Sequence, residues 1–199
     1  MTDEGRTEVV FTDYDPAAEQ STFFREVKIW EAARATTAAT TFFDPISIER
    51  GGVTRKFWDG ALNANNPVNR LWVEAQEQFG PVSLEPQIRC LLSLGTGKPP
   101  LEGFGRGLKD IGKSIIKMAS ETQQTALQFR RMHPELANRD GYFRFNPPDM
   151  SEVELEAAEK KGIIHQRTQD YGDDPDVKLD MERFRRAVGT DQSASMAIV

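Results

Sequence analysis

The sequence predicts an α/β layered fold, and three observations carry that expectation. Short β-type runs alternate with helical text along the 199 residues, the pattern of strands and helices packed in layers. Residues 88–94 (IRCLLSL) form a nearly continuous apolar run between Pro86 and Gly95, short enough to prefer a buried central strand over a helix. Val68, Leu71, Trp72, Ala75 and Phe79 fall on one stripe at helical spacing, which marks an amphipathic helix.

Thr7–Thr12 (TEVVFT) reads as a strand that leaves into the turn-prone Asp13-Tyr14-Asp15-Pro16. From Val27 to Thr41 the text is Ala-rich, with Ile29, Trp30, Ala33 and Ala38 near helical spacing, until Phe42-Phe43-Asp44-Pro45 stops it. A buried helix with small residues on its packing face is expected there. Ile46–Ile48 and Thr54–Trp58 predict two short strands around Arg50-Gly51-Gly52, followed by a polar loop through Asn66. Pro67 suits the first position of the amphipathic helix, and Gly80-Pro81 suits its end. Beyond the apolar strand, Gly95–Gly107 reads as loop, Leu108–Met132 as helix and Tyr142–Phe145 as strand. Ser151–Val188 is charged helical text broken near Gly172–Pro175, and the last ten residues read as frayed. The expected division is residues 1–150 as one domain and 151–199 as a charged helical extension.

Composition narrows the function classes. Twenty-five basic against 31 acidic residues give a formal charge of −6, which leaves no basic surface to neutralise a phosphate backbone, so nucleic-acid binding is not expected. The single cysteine, Cys90, excludes an intrachain disulfide and a Cys-rich zinc site and implies a reducing compartment. The opening residues have no apolar signal core, and no stretch approaches the ~18 apolar residues of a membrane span. The expectation is a cytoplasmic chain, free or peripheral at membranes.

Most motif-like pieces have plain readings. Around Lys98, the glycine that a phosphate-binding P-loop needs five residues before the lysine is Leu92, and the residue after it is Pro99. His133 and His165 lie in polar or charged text with no second ligand at metal spacing, so both read as solvated, and neither supports a Ser-His-Asp triad. Cys90, inside the apolar strand, reads as a small buried hydrophobe. No metal and no cofactor are expected.

Asp59-Gly60 is different. The pair is a common turn signal, yet an apolar strand ends at Trp58 and an Asn-rich loop leads from it to a helix start. In open α/β sheets functional groups collect at the carboxyl ends of strands, and a carboxylate held there by a turn can accept a proton from a nucleophilic hydroxyl.

Lys28-Ile29-Trp30-Glu31-Ala32-Ala33-Arg34-Ala35-Thr36, Thr40-Thr41-Phe42-Phe43-Asp44-Pro45, Phe57-Trp58-Asp59-Gly60-Ala61, Asn65-Asn66-Pro67 and Leu92-Ser93-Leu94-Gly95-Thr96-Gly97 follow one another in a telling order. In that order the chain resembles the second half of a patatin-like phospholipase domain of the fungal type. The likeness continues more loosely through Glu121-Thr122 and Tyr142-Phe143-Arg144-Phe145-Asn146. The resemblance implies a three-layer patatin-like (FabD/lysophospholipase-like) α/β fold, its sheet covered by helices on both faces and incomplete at the N-terminal side. It implies a lipid acyl hydrolase working through a Ser-Asp dyad, with acyl lipid as substrate. Asp59, Gly60 and Ala61 occupy the Asp-Gly-Ala motif, Asp59 as proton acceptor; Gly60 would let the backbone turn, and Asn65, Asn66 and Pro67 would shape the following loop.

The departure is as definite. The family's nucleophile sits in a Gly-x-Ser-x-Gly elbow, and none of Ser21, Ser47, Ser83, Ser93, Ser114, Ser120, Ser151, Ser193 or Ser195 has glycines two residues to each side. The expected role is therefore the Asp-bearing part of such a hydrolase, inactive alone. The competing expectation is a catalytically dead module serving a protein partner, or a truncated gene product.

Overall fold

The computed structural model describes residues 8–12, 22–39, 43–97, 109–148, 150, 153, 158–189 and 196–198. They form a mixed α/β structure in two compact units, residues 1–65 with 73–81 and residues 66–72 with 82–199.

The first unit is built on a hairpin. It contains α1 (Thr22–Arg25), α2 (Ile29–Thr36), β1 (Ile46–Arg50), β2 (Val53–Phe57) and α3 (Ala61–Ala64). β1 and β2 pair antiparallel from Ile46↔Phe57 to Arg50↔Val53. Gly51 and Gly52 join them at φ +56° and +77°, the two left-handed positions of a tight turn whose twist matches paired strands. On the inner face Ile48 and Phe57 bury against Phe23 and Ala35, and Phe11 and Phe24 close the cluster. Aromatic edges supply much of that contact, with the Phe11 and Phe57 rings 5.6 Å apart and those of Phe23 and Phe24 5.3 Å apart.

Two expectations are corrected here. Residues 8–12 form no strand; Phe11 reaches the core from irregular chain. The helix expected over Val27–Thr41 is the eight-residue α2, and its face is turned: Ile29 is 91% and Trp30 61% exposed, while Glu31 and Ala35 are buried. Residues 31 and 35 share a side of the helix, and Glu31 is held there by the Lys28 N–H at 2.8 Å and by the Arg50 guanidinium from β1. Residues 40–42 lie outside the described residues.

Helix α4 (Val68–Phe79) follows, and Gly80 ends it at φ +88°. Val68 and Trp72 of its expected stripe are buried, whereas Phe79 is exposed.

The second unit holds the parallel sheet. Its elements are β3 (Cys90–Leu94), α5 (Lys109–Met132), α6 (Pro134–Asn138), β4 (Tyr142–Phe145), α7 (Lys161–Asp173), α8 (Pro175–Val188) and β5 (Met196–Ile198). The strand order is β4-β3-β5, all parallel, with Leu91↔Tyr142 and Leu91↔Ala197 in register. The apolar run is thus the central strand, as expected. Alternation sorts its neighbours between two faces. Cys90, Leu92, Phe143 and Phe145 pack with Phe184 and Ala187 of α8, while Tyr142 meets Phe129 of α5 with ring centroids 5.1 Å apart. Helices therefore cover both faces. Asp174 marks the expected break, its carboxylate accepting from the Asp176 and Val177 N–H groups at 2.9 and 3.2 Å as α8 begins at Pro175. The chain end differs from expectation: Met196–Ile198 pairs as a strand, because the open edge of β3 offers it a ladder.

Candidate functional site

Asp59 stands two residues beyond β2, whose last residue, Phe57, is sealed in the first core. Its backbone N–H donates to the Ala38 carbonyl at 3.0 Å, which ties the strand exit to the chain just after α2. The half-buried side chain turns back, Oδ1 accepting from the Ala61 N–H at 2.7 Å. That bond makes an Asx turn and gives one orphan donor at the start of α3 a partner. It also orients one carboxylate oxygen of Asp59.

Gly60 has φ −66° and ψ −21°, and an added Cβ would meet nothing within 4 Å. The turn that the resemblance assigns to Gly60 therefore does not require a glycine backbone. Asn66, in the second unit, caps α4: its Oδ1 accepts from the Val68 N–H at 3.3 Å and its Nδ2 donates to the Thr122 carbonyl at 3.2 Å. Two pieces of the motif series, Asn66 and Thr122, thereby meet through a structural bond.

The other candidates resolve as follows. Cys90 is free and buried, and burial pushes its thiol up from the ordinary range, which makes it a poor nucleophile. His165 is exposed, as expected. His133 is not solvated: its Nδ1 lies 2.9 Å from Glu85 Oε1, and its ring packs 4.2 Å from Trp72 and 4.4 Å from Phe129. Its place before Pro134 gave no sign of this, because the partners come from α4, the 84–88 turn and α5. Ser93 is buried, with its Oγ 2.6 Å from Arg144 Nη1. Gly95 and Gly97 serve the loop after β3: a Cβ on Gly95 would overlap Asn146, Gly97 has φ +112°, and Asn146 Oδ1 accepts from the Gly97 N–H at 2.7 Å. Lys98 lies outside the described residues.

Among the described residues no group of three or more His, Cys, Asp or Glu side chains is placed to hold a metal, and no helix is long and apolar enough to cross a membrane.

The family model described as patatin-like phospholipase matches residues 1–72. The rat (Rattus norvegicus) and mouse (Mus musculus) 85/88 kDa calcium-independent phospholipases A2 are each 28% identical over 160 residues, covering 69% of this chain and 19% of the relative. The chain thus spans about a fifth of the length of these curated relatives. No solved structure matches. The segment that carries the hairpin and Asp59 is thus similar to the patatin-like phospholipase family, the one its motifs resemble.

Proposed function

We propose that this chain supplies the acidic member of a Ser-Asp dyad in a lipid acyl hydrolase, with Asp59 as the proton acceptor. The observation that carries this reading is the posture of Asp59: a half-buried carboxylate at a strand exit, oriented through Oδ1 by the Ala61 N–H. The family match over residues 1–72, which includes Asp59, supports it. In such a reaction a serine hydroxyl attacks the ester carbonyl as its proton passes to the carboxylate; the ester C–O bond breaks, the alcohol leaves with that proton, and water, giving its proton to the carboxylate, then hydrolyses the acyl-enzyme and restores the serine hydroxyl. Acyl lipid is the substrate class, in keeping with the phospholipase A2 names of the relatives. Since the sequence holds no Gly-x-Ser-x-Gly elbow, this chain by itself turns over no ester.

The test has two arms. Purified chain, assayed alone on a chromogenic short-chain ester and on phospholipid vesicles, is expected to be silent; turnover abolished by Asp59→Asn would show a nucleophile within these residues. The native protein, captured with an antibody against residues 59–66, is then weighed intact. A heavier product containing a Gly-x-Ser-x-Gly peptide, with ester turnover lost on Asp59→Asn, supports the dyad. A product of 22.4 kDa would favour the second reading, a catalytically silent module that acts through a protein partner.

A further inference from the structure

Helix α2 turns its apolar side to solvent. Ile29 is 91% and Trp30 61% exposed, while Glu31 and Ala35 take the buried side. Arg34 lies one turn beyond Trp30, on the same side of the helix. Its guanidinium sits 5.3 Å from the ring centre of Phe43, which is itself 58% exposed. An apolar strip thus extends from Ile29 and Trp30, past Arg34, to Phe43, all within the first unit. Large apolar side chains left bare together mark a surface that a partner covers.

The strip ends beside the anchor of Asp59. The Phe43 N–H donates to the Ala39 carbonyl and the Asp59 N–H to the Ala38 carbonyl, both at 3.0 Å. The exposed ring and the proposed proton acceptor therefore hang from two consecutive carbonyls, and a polypeptide that brings a hydroxyl to Asp59 arrives next to this strip. The sequence holds no Gly-x-Ser-x-Gly elbow, so on the dyad reading that hydroxyl belongs to another polypeptide segment. An anionic bilayer suits the strip less well: Glu26 and Asp44 expose carboxylates at its two ends, and the sequence carries a net charge of −6.

We propose that this strip seats the polypeptide segment that bears the Gly-x-Ser-x-Gly elbow, with Ile29, Trp30 and Phe43 as its apolar contacts. The proposal rests on the dyad reading and gives the serine-bearing partner its docking surface.

The test compares the chain alone with the complete native product, each carrying Ile29→Cys. Cys90 is buried, so in the chain alone residue 29 is the reactive thiol, and maleimide labelling followed by peptide mass spectrometry reads its access. Labelling is expected to slow by about 100-fold or more in the complete product, where reaction waits for the cover to open. A photo-reactive benzoylphenylalanine in place of Trp30 then identifies the cover. A cross-link to the segment that contains the elbow supports the proposal; a cross-link to lipid or to any other polypeptide segment overturns it. If that variant fails to fold, the thiol decides: protection supports the proposal, and labelling as fast as in the chain alone overturns it. Asp59→Asn keeps the two readings apart. Ester turnover that survives this substitution, with the elbow segment cross-linked at position 30, removes the dyad and leaves the docking surface; Asp59-dependent turnover with residue 29 unprotected does the reverse. A native product of 22.4 kDa without an elbow-bearing partner overturns both.

Discussion

The backbone N–H of Asp59 donates to the carbonyl oxygen of Ala38 at 3.0 Å, so the exit of β2 is registered on the chain that leaves α2. Ala38 is fully buried and has no room for a longer side chain. Ala38→Leu is expected to lower stability by about 1–3 kcal/mol through overpacking. Urea unfolding of the variant and the parent checks this; an unchanged midpoint would mean that the segment yields without cost.

Asp59 has a structural duty besides its proposed chemical one, and two substitutions separate them. Asp59→Asn keeps an oxygen for the Ala61 N–H, whereas Asp59→Ala leaves that donor unpaired. The alanine variant is expected to lose roughly 1 kcal/mol of stability and the asparagine variant much less. In the complete hydrolase both should lack ester turnover, because neither retains a carboxylate to take the proton. Thermal denaturation beside an ester assay distinguishes the outcomes; an active Asp59→Asn enzyme would remove Asp59 from the dyad.

Glu31 gives the first unit an acid-sensitive lock. The Lys28 N–H, followed by the Arg50 guanidinium, stabilises its charged form and holds the carboxyl below the ordinary range, against the opposing effect of burial. A carboxylate depressed in the folded state contributes stability that is present above its unfolded value, about 4.3, and is lost as pH falls through the folded value. Stability is therefore expected to decline on acidification below about pH 4.3, and Glu31→Gln should flatten that decline while lowering stability at neutral pH. Unfolding curves taken between neutral and acid pH would detect it; parallel pH profiles for both proteins would exclude the lock.

Gly95 is required by a close approach. A Cβ there would overlap the side chain of Asn146, whose Oδ1 holds the Gly97 N–H at 2.7 Å. Gly95→Ala is expected to destabilise by about 1–3 kcal/mol, through strain and the lost loop bond. Asn146→Ala in the same background should recover part of the loss, since it clears the space. A double-mutant cycle by thermal unfolding reads the coupling; additive effects would place the strain elsewhere.

Periodicity and punctuation were sufficient for the elements themselves. The run 90–94, the Arg50-Gly51-Gly52 hairpin, the Asp174-Pro175 break and the strand Tyr142–Phe145 are all local patterns, and each appears where its spacing places it. The family was legible because ordered motifs, Asp59-Gly60-Ala61 above all, survive in the text as they stand.

What the sequence by itself determined is therefore the α/β class, the position of most elements and the placement of Asp59 just beyond a strand. Tertiary structure alone decided which surfaces are inside. The Ile29-Trp30 side of α2 is apolar by composition yet exposed, because Arg50, 19 residues beyond Glu31, draws the Glu31 and Ala35 side inward. His133 acquires Glu85 and Trp72, and Arg144 acquires Ser93, as partners from segments 48 or more residues away. Hydropathy reports what one residue prefers; a buried charge or imidazole depends on partners brought together only by the folded chain, and no local window contains them.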